Sequence, residues 1–212
     1  MIKKVNFLLS QGKEILPECE TVTIFIANEI GKFKNEACST YSNGKRKYKQ
    51  ASAYILMLNT GMRKGEALAL KNCDIDLENK KLHIHKTLKE VNKRDGTKKI
   101  KGRTAKLGKT KTKTSKRTIP LNNTAIEMIK ELRNEAYFGK NTPLICDEKG
   151  NYTNPVNFRK RFYRILENAK IETKGLHSLR HTFATNLVNG IKKPDGTIKA
   201  LTPKTSRRLA WS

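Results

Sequence analysis

Two side chains in the run Gly175-Leu-His-Ser-Leu-Arg-His-Thr-Phe-Ala-Thr185 have the types needed to handle a phosphate: His177 and Arg180. Residues three apart on a helix share a face. An arginine fork holds two phosphate oxygens, and an imidazole donates, accepts or carries a proton. A second arginine stands far upstream in the turn Thr60-Gly-Met-Arg63, with Glu66 three residues on and able to orient it. Each pattern alone is common. A His-x-x-Arg pair arises easily by chance, Arg63 fits a solvated arginine, and Glu66 fits an ordinary surface partner. They acquire a chemical meaning when the fold makes them converge.

The elements that must position them are legible as patterns. Leu176, Leu179, Phe183 and Leu187 lie on one face of a helix that Gly190 stops. Gly61 can supply a backbone angle closed to other residues, and Lys64 to Leu70 returns to helix. Upstream, Thr21-Val-Thr-Ile-Phe25 predicts an extended run, followed by a helix through Ile26, Ile30 and Phe33. A helix is expected over residues 45–59, with Ala51, Tyr54, Ile55 and Leu58 inward. In Lys81-Leu-His-Ile-His-Lys-Thr-Leu88 the apolar positions alternate with His83 and His85, which predicts a strand with exposed histidines rather than a metal pair. Arg117-Thr-Ile-Pro-Leu121 reads as a strand placed at an edge by Pro120, which lacks the ladder donor. Thr124-Ala-Ile-Glu127 predicts a capping box, and Asn154-Pro155 the start of another helix. That last helix buries Phe158, Phe162, Ile165 and Leu166 and turns Arg159, Lys160, Arg161 and Arg164 outward.

Charge narrows the function. Among 212 residues, 45 Lys and Arg oppose 19 Asp and Glu, a net +26, with 36% hydrophobic content to build a core. Thirteen of the basic residues and two acidic ones fall between positions 89 and 117, around an Asp95-Gly96 turn, so a long basic hairpin is expected. Such an excess self-repels in a compact chain and points to an anionic polymer. No stretch approaches the roughly 20 apolar residues that span a membrane, and no signal-peptide pattern opens the chain. Cys19, Cys38, Cys73 and Cys146 are scattered, as expected of reduced thiols in a cytoplasmic protein rather than a zinc site or disulfide frame.

Assembled, three ordered motifs resemble the tyrosine recombinase (phage integrase) family. Thr60-Gly-Met-Arg-Lys-Gly-Glu-Ala-Leu-Ala-Leu70 with Asp74-Ile-Asp76 is similar to the family's first-arginine motif. Lys111-Thr-Lys-Thr-Ser-Lys-Arg-Thr-Ile-Pro-Leu121 is similar to its hairpin-lysine motif, and His177-Ser-Leu-Arg-His-Thr-Phe-Ala-Thr185 to its His-x-x-Arg box. The wording is nearest to integrases of Gram-positive phages and conjugative elements. The resemblance implies an α+β fold, mainly helical with a small antiparallel sheet, and site-specific DNA integration and excision through a phosphotyrosine intermediate. It implies double-stranded DNA as partner, tetramers of intact members on that DNA, and no metal, ATP or other cofactor. Arg63 and Arg180 are then the clamp on the non-bridging oxygens, Lys111 the general acid for the departing oxygen, and His177 a phosphate ligand that assists proton transfer. Glu66 and His181 stand behind them. Lys109, Lys113, Lys116, Arg117, Arg159 and Lys160 are expected along the DNA.

The departures from the family pattern lie at the ends. Residues 1–20 read as a linker or the remnant of a core-binding region, and 21–204 as a catalytic domain without its last helices. The family's Leu-Gly-His helix and nucleophilic tyrosine are not met, and Tyr163, the last tyrosine, precedes the His-x-x-Arg box in a helix patterned for packing. Thr205-Ser-Arg-Arg-Leu-Ala-Trp-Ser212 lacks the rhythm announced by Leu201-Thr-Pro203 and reads as an out-of-frame tail, one inserted base in a run of A at Lys204 being enough to produce it. The expectation is therefore a chain that binds DNA without cutting it. The alternatives are a DNA-binding regulator that occupies a full-length integrase's sites and, on charge alone, a ribosomal-type RNA-binding protein. A type IB topoisomerase shares the plan of the site, but the hairpin and His-box wording favours integrases.

Overall fold

Five aromatic rings mark where the core sits. In the computed structural model, which describes residues 23–94, 100–109, 116–189, 191–192 and 198–199, Phe33 lies 5.6 Å from Phe25 and 5.7 Å from Phe162, ring centre to ring centre. Tyr54 lies 4.5 Å from Phe158 and 5.5 Å from Phe162. Tilted and edge-on pairs of this kind add to the burial of the rings themselves. The rings come from the extended run at Phe25 and from helices α1 (Ala27–Ala37), α2 (Ser52–Thr60) and α5 (Pro155–Asn168). Around them stand α3 (Lys64–Ala69), α4 (Asn123–Glu135) and α6 (His177–Asn189), with α2 at the centre against both α4 and α6.

Among the described residues three small antiparallel sheets complete an α+β fold. β1 (Ile75–Asp76), β2 (Lys81–Ile84) and β5 (Arg117–Pro120) form one, in the order β1-β2-β5. In β2, Leu82 and Ile84 are buried while Lys81 and His83 are exposed, the period-two pattern the sequence predicts. β5 is an edge strand, where the missing donor of Pro120 does no harm. β3 (Lys86–Arg94) and β4 (Ile100–Lys109) form a separate two-stranded ribbon, and β6 (Ile191–Lys192) pairs with β7 (Ile198–Lys199). The ribbon is rooted by Leu88, buried and paired in register with Leu107, which packs on the core.

Two helix starts differ from the sequence reading. α2 begins at Ser52, not Lys45, because Gln50 takes a φ of +61°, and its backbone N donates to the Glu135 carboxylate at 2.7 and 3.0 Å. Every residue from Ser52 to Leu58 is buried, so α2 has no polar face to give it a phase. α4 is capped by Asn122, whose side chain accepts from the Ala125 amide at 2.8 Å, rather than by a box at Thr124. The other cap is as read: Asn154 accepts from Val156 at 2.8 Å, with Pro155 in the first turn. The linker expected at 1–20, the Asp95-Gly96 turn, the helix start at Leu201 and the tail at 205–212 lie outside the described residues.

Candidate functional site

The turn between α2 and α3 is built on Gly61. Its φ of +63° is left-handed, and a Cβ added there would fall 2.3 Å from Cδ1 of Phe183. Glycine is thus required twice, by the backbone angle and by the ring of α6 lying on it. The Gly61 carbonyl accepts from Arg180 Nη1 at 2.5 Å. Phe183 and Arg180, one helical turn apart, therefore dock the face of α6 onto this turn and place Arg180 behind Arg63. Gly61→Ala combines left-handed strain with overpacking, and about 2–4 kcal/mol of stability is expected to be lost. Urea unfolding of the two chains measures it.

Glu66 organises the cations. Its carboxylate accepts from the Arg63 backbone N at 2.8 Å, closing the first turn of α3, and from Arg63 Nη1 at 3.0 Å. It also accepts from Arg117 Nη1 at 3.1 Å and Nη2 at 2.9 Å. Glu66 is 4% exposed, and the side chains of Arg117 and Arg63 are 7% and 43% exposed. One buried carboxylate thus serves a buried arginine and an open one. Burial by itself pushes the Glu66 carboxyl up. The hydrogen bonds and charge of Arg117, then the bonds from Arg63, pull it down further, and the net is a carboxylate below its usual range.

Arg180 is 7% exposed. Its desolvation, with the charges of Arg63 and Arg117 and against that of Glu66, lowers its pKa to about 10, so it stays cationic at neutral pH. Arg63, Arg117 and Arg180 facing Glu66 leave a surplus of positive charge, the electrostatic demand of an anion site. His177 opens α6 at the rim. Desolvation of the ring comes first, then the charges of His181, Arg180, Lys64 and Arg63, and together they hold its pKa below the ordinary histidine value. The imidazole is accordingly neutral at pH 7 and able to take a proton.

The structure thus brings together Arg63, Glu66, His177 and Arg180 from distant parts of the chain, with half-buried His181 beside His177. Lys111 and Lys113 lie outside the described residues; Lys109 closes β4, and Lys116 is exposed just before β5. Arg159 and Lys160 stand half-buried and exposed on α5, a separate helix. Their neighbour Arg161 donates to the Asn157 and Lys49 carbonyls at 3.4 and 3.5 Å and so takes part in packing. Arg117, expected along the DNA, has its fork on Glu66.

Four further residues support the site although the sequence reading gave them no role in it. Lys64 faces His177 electrostatically and pairs with Glu90 of β3 at 2.9 Å. Gly65 holds α3 against β3, where a Cβ would meet Thr87 Oγ1 at 2.5 Å and the Leu88 carbonyl at 2.7 Å. The extended run before α1 ties down α6: the Phe25 amide donates to Thr182 Oγ1 at 2.8 Å. Buried Lys174, 5.6 Å from the centre of the Phe25 ring, donates to Glu29 at 2.6 Å.

The sequence profile of the phage integrase family matches residues 27–195. The chain belongs to the phage integrase family. It is 32% identical over 174 residues to a XerC-like tyrosine recombinase of Caldanaerobacter subterraneus subsp. tengcongensis, a span of 76% of this chain and 44% of that protein. Among solved structures it superposes on the Tn1549 transposon integrase in complex with a circular intermediate DNA, with a TM-score of 0.70 at 18% identity, covering 95% of this chain and 61% of that one. The XerH recombinase bound to its palindromic difH substrate in a post-cleavage complex gives a TM-score of 0.53 at 27% identity, covering 89% and 49%. The chain spans less than two thirds of the length of each of these integrase relatives. Among the described residues no helix is long and apolar enough to cross a membrane.

Proposed function

We propose that this phage integrase chain binds duplex DNA and holds a backbone phosphate between Arg63 and Arg180, as the phosphate-handling part of a site-specific recombinase that integrates and excises DNA through a phosphotyrosine intermediate. The observation that carries the proposal is the excess of guanidinium charge around the Glu66 carboxylate among the described residues, with His177 at its rim. Guanidinium groups fixed where charge grows on the non-bridging oxygens stabilise the transition state without reorganisation. His177 accepts or donates at the phosphate, and Lys111 protonates the departing oxygen. The basic ribbon supplies the DNA-tracking surface. Its register sets exposed Lys89 opposite exposed Lys106, a like-charge pair that weakens a free hairpin and that a polyanion relieves.

In this reading Tyr48, Tyr54 and Tyr163 serve the packing and none of them is the nucleophile. The Tyr54 hydroxyl donates to the buried Phe158 carbonyl at 2.7 Å, that of Tyr48 donates to Glu36 at 2.5 Å, and the Tyr163 ring packs on Phe162 at 5.9 Å. A nicked suicide duplex separates binding from cleavage. The chain is expected to retain the duplex at low salt and to leave no adduct that survives denaturation. Arg63→Ala, which removes an exposed side chain, is expected to weaken binding about tenfold. A chain that retains no duplex at low salt refutes the proposal, and a covalent adduct on Tyr48, Tyr54 or Tyr163 refutes their reading as packing residues.

The histidine gives a pH signature. The folded-state pKa of His177 is depressed, so its protonation favours the unfolded chain, and its contribution to stability is lost as pH falls below the ordinary histidine range. A phosphate bound beside it adds negative charge and acts the other way. Proton NMR is expected to place the His177 titration below the ordinary histidine value in the free chain and to move it upward on addition of DNA. An unchanged titration removes His177 from the phosphate.

A further inference from the structure

We propose that Arg117 is a positioning residue: it occupies Glu66 with a two-point fork, so that Arg63 is held through one nitrogen and keeps the rest of its guanidinium for phosphate. The inference rests on the phosphate-handling reading above. Both Nη atoms of Arg117 face Glu66, and its Nε is buried without a hydrogen-bond partner among the described residues. No described polar atom of this guanidinium is directed to a ligand at the surface. Arg63 is the reverse case, with a single Nη on Glu66 and an exposed side chain. A carboxylate accepts a bidentate arginine fork, and without Arg117 the same oxygens would draw Arg63 into such a fork.

The place of Arg117 in the chain gives the pair a second consequence. Arg117 opens β5, opposite Ile84, immediately after the stretch that carries Lys111. The ion pair therefore ties the start of β5 to the first turn of α3, the helix that Arg63 precedes.

A mutant cycle on the 212-residue chain, titrated with a linear duplex at low salt, tests this. Arg117→Ala is expected to lose about tenfold in affinity and Arg117→Lys the same, because lysine keeps the charge but cannot fork. Neither is expected to lose more in an Arg63→Ala background, since the effect runs through Arg63. Glu66→Gln, which keeps the shape and the acceptor, is expected to weaken binding although it removes a negative charge near the DNA. Full rescue by lysine, losses from Arg63→Ala and Arg117→Ala that multiply, an unchanged Arg117→Ala chain, or a gain in Glu66→Gln overturns the inference. Arginine side-chain NMR of the free chain adds a readout that needs no DNA: the Arg63 guanidinium signal is expected to shift in Arg117→Lys, and an unmoved signal overturns the inference. A wild-type chain that binds no duplex refutes the phosphate-handling reading alone, because the shift of Arg63 is scored separately.

Discussion

Between about 50 and 200 mM salt, the affinity of this chain for duplex DNA is expected to fall by roughly 10³–10⁵. Each phosphate neutralised by a lysine or arginine releases condensed counterions, and about 6–10 such contacts give that slope. The net charge of +26 and the ribbon of β3 and β4 supply the cations. Lys89 and Lys106, exposed and face to face, have no internal reason to be paired, so Lys89→Ala is expected to reduce the slope by about one phosphate. Filter binding over a salt series decides the matter. A shallow slope would mean that apolar or base contacts dominate, and the Lys89–Lys106 pair would then need another explanation.

The parts of this fold legible in the sequence are those fixed by near neighbours. The alternation in β2 follows from a period of two, and Asn154-Pro155 carries its own cap and its own φ. The start of α2 was not legible, because its limit is set by Gln50 held on Glu135, 85 positions away, while the buried run Ser52–Leu58 offers no amphipathic phase. The site divides in the same way. Arg63, Glu66, His177 and Arg180 were identifiable as residue types in motifs, yet each had an ordinary surface explanation. Their convergence depends on Gly61, whose second role, as the floor under Phe183 and the acceptor for Arg180, is a contact across 119 positions. The Arg117–Glu66 pair spans 51 positions, and a basic run gives no reason to single out its last arginine as the buried one.

Glu66→Ala is expected to cost about 3–5 kcal/mol, a large share of the roughly 5–15 kcal/mol by which a domain is stable. The loss does not measure the strength of the ion pair. It measures what is left behind: Arg117, with a side chain 7% exposed, becomes a buried charge with no counter-ion, and the Arg63 amide loses its cap acceptor. Acid provides an independent arm. Because the folded-state pKa of Glu66 is depressed, its contribution is present above the unfolded value near 4.5 and is lost as pH falls through the folded value. The wild-type chain is therefore expected to lose stability toward Glu66→Ala as pH drops below that range, and urea midpoints at neutral and acid pH measure the convergence. Replacing both partners separates a buried pair from a merely cationic site. Glu66→Leu with Arg117→Met removes the stranded charge, so much of the stability lost in Glu66→Ala is expected to return. DNA binding is expected to stay weak in that double variant, since Arg63 has lost the carboxylate that holds it. Recovery of both stability and binding would show that Glu66 serves the fold and not the clamp.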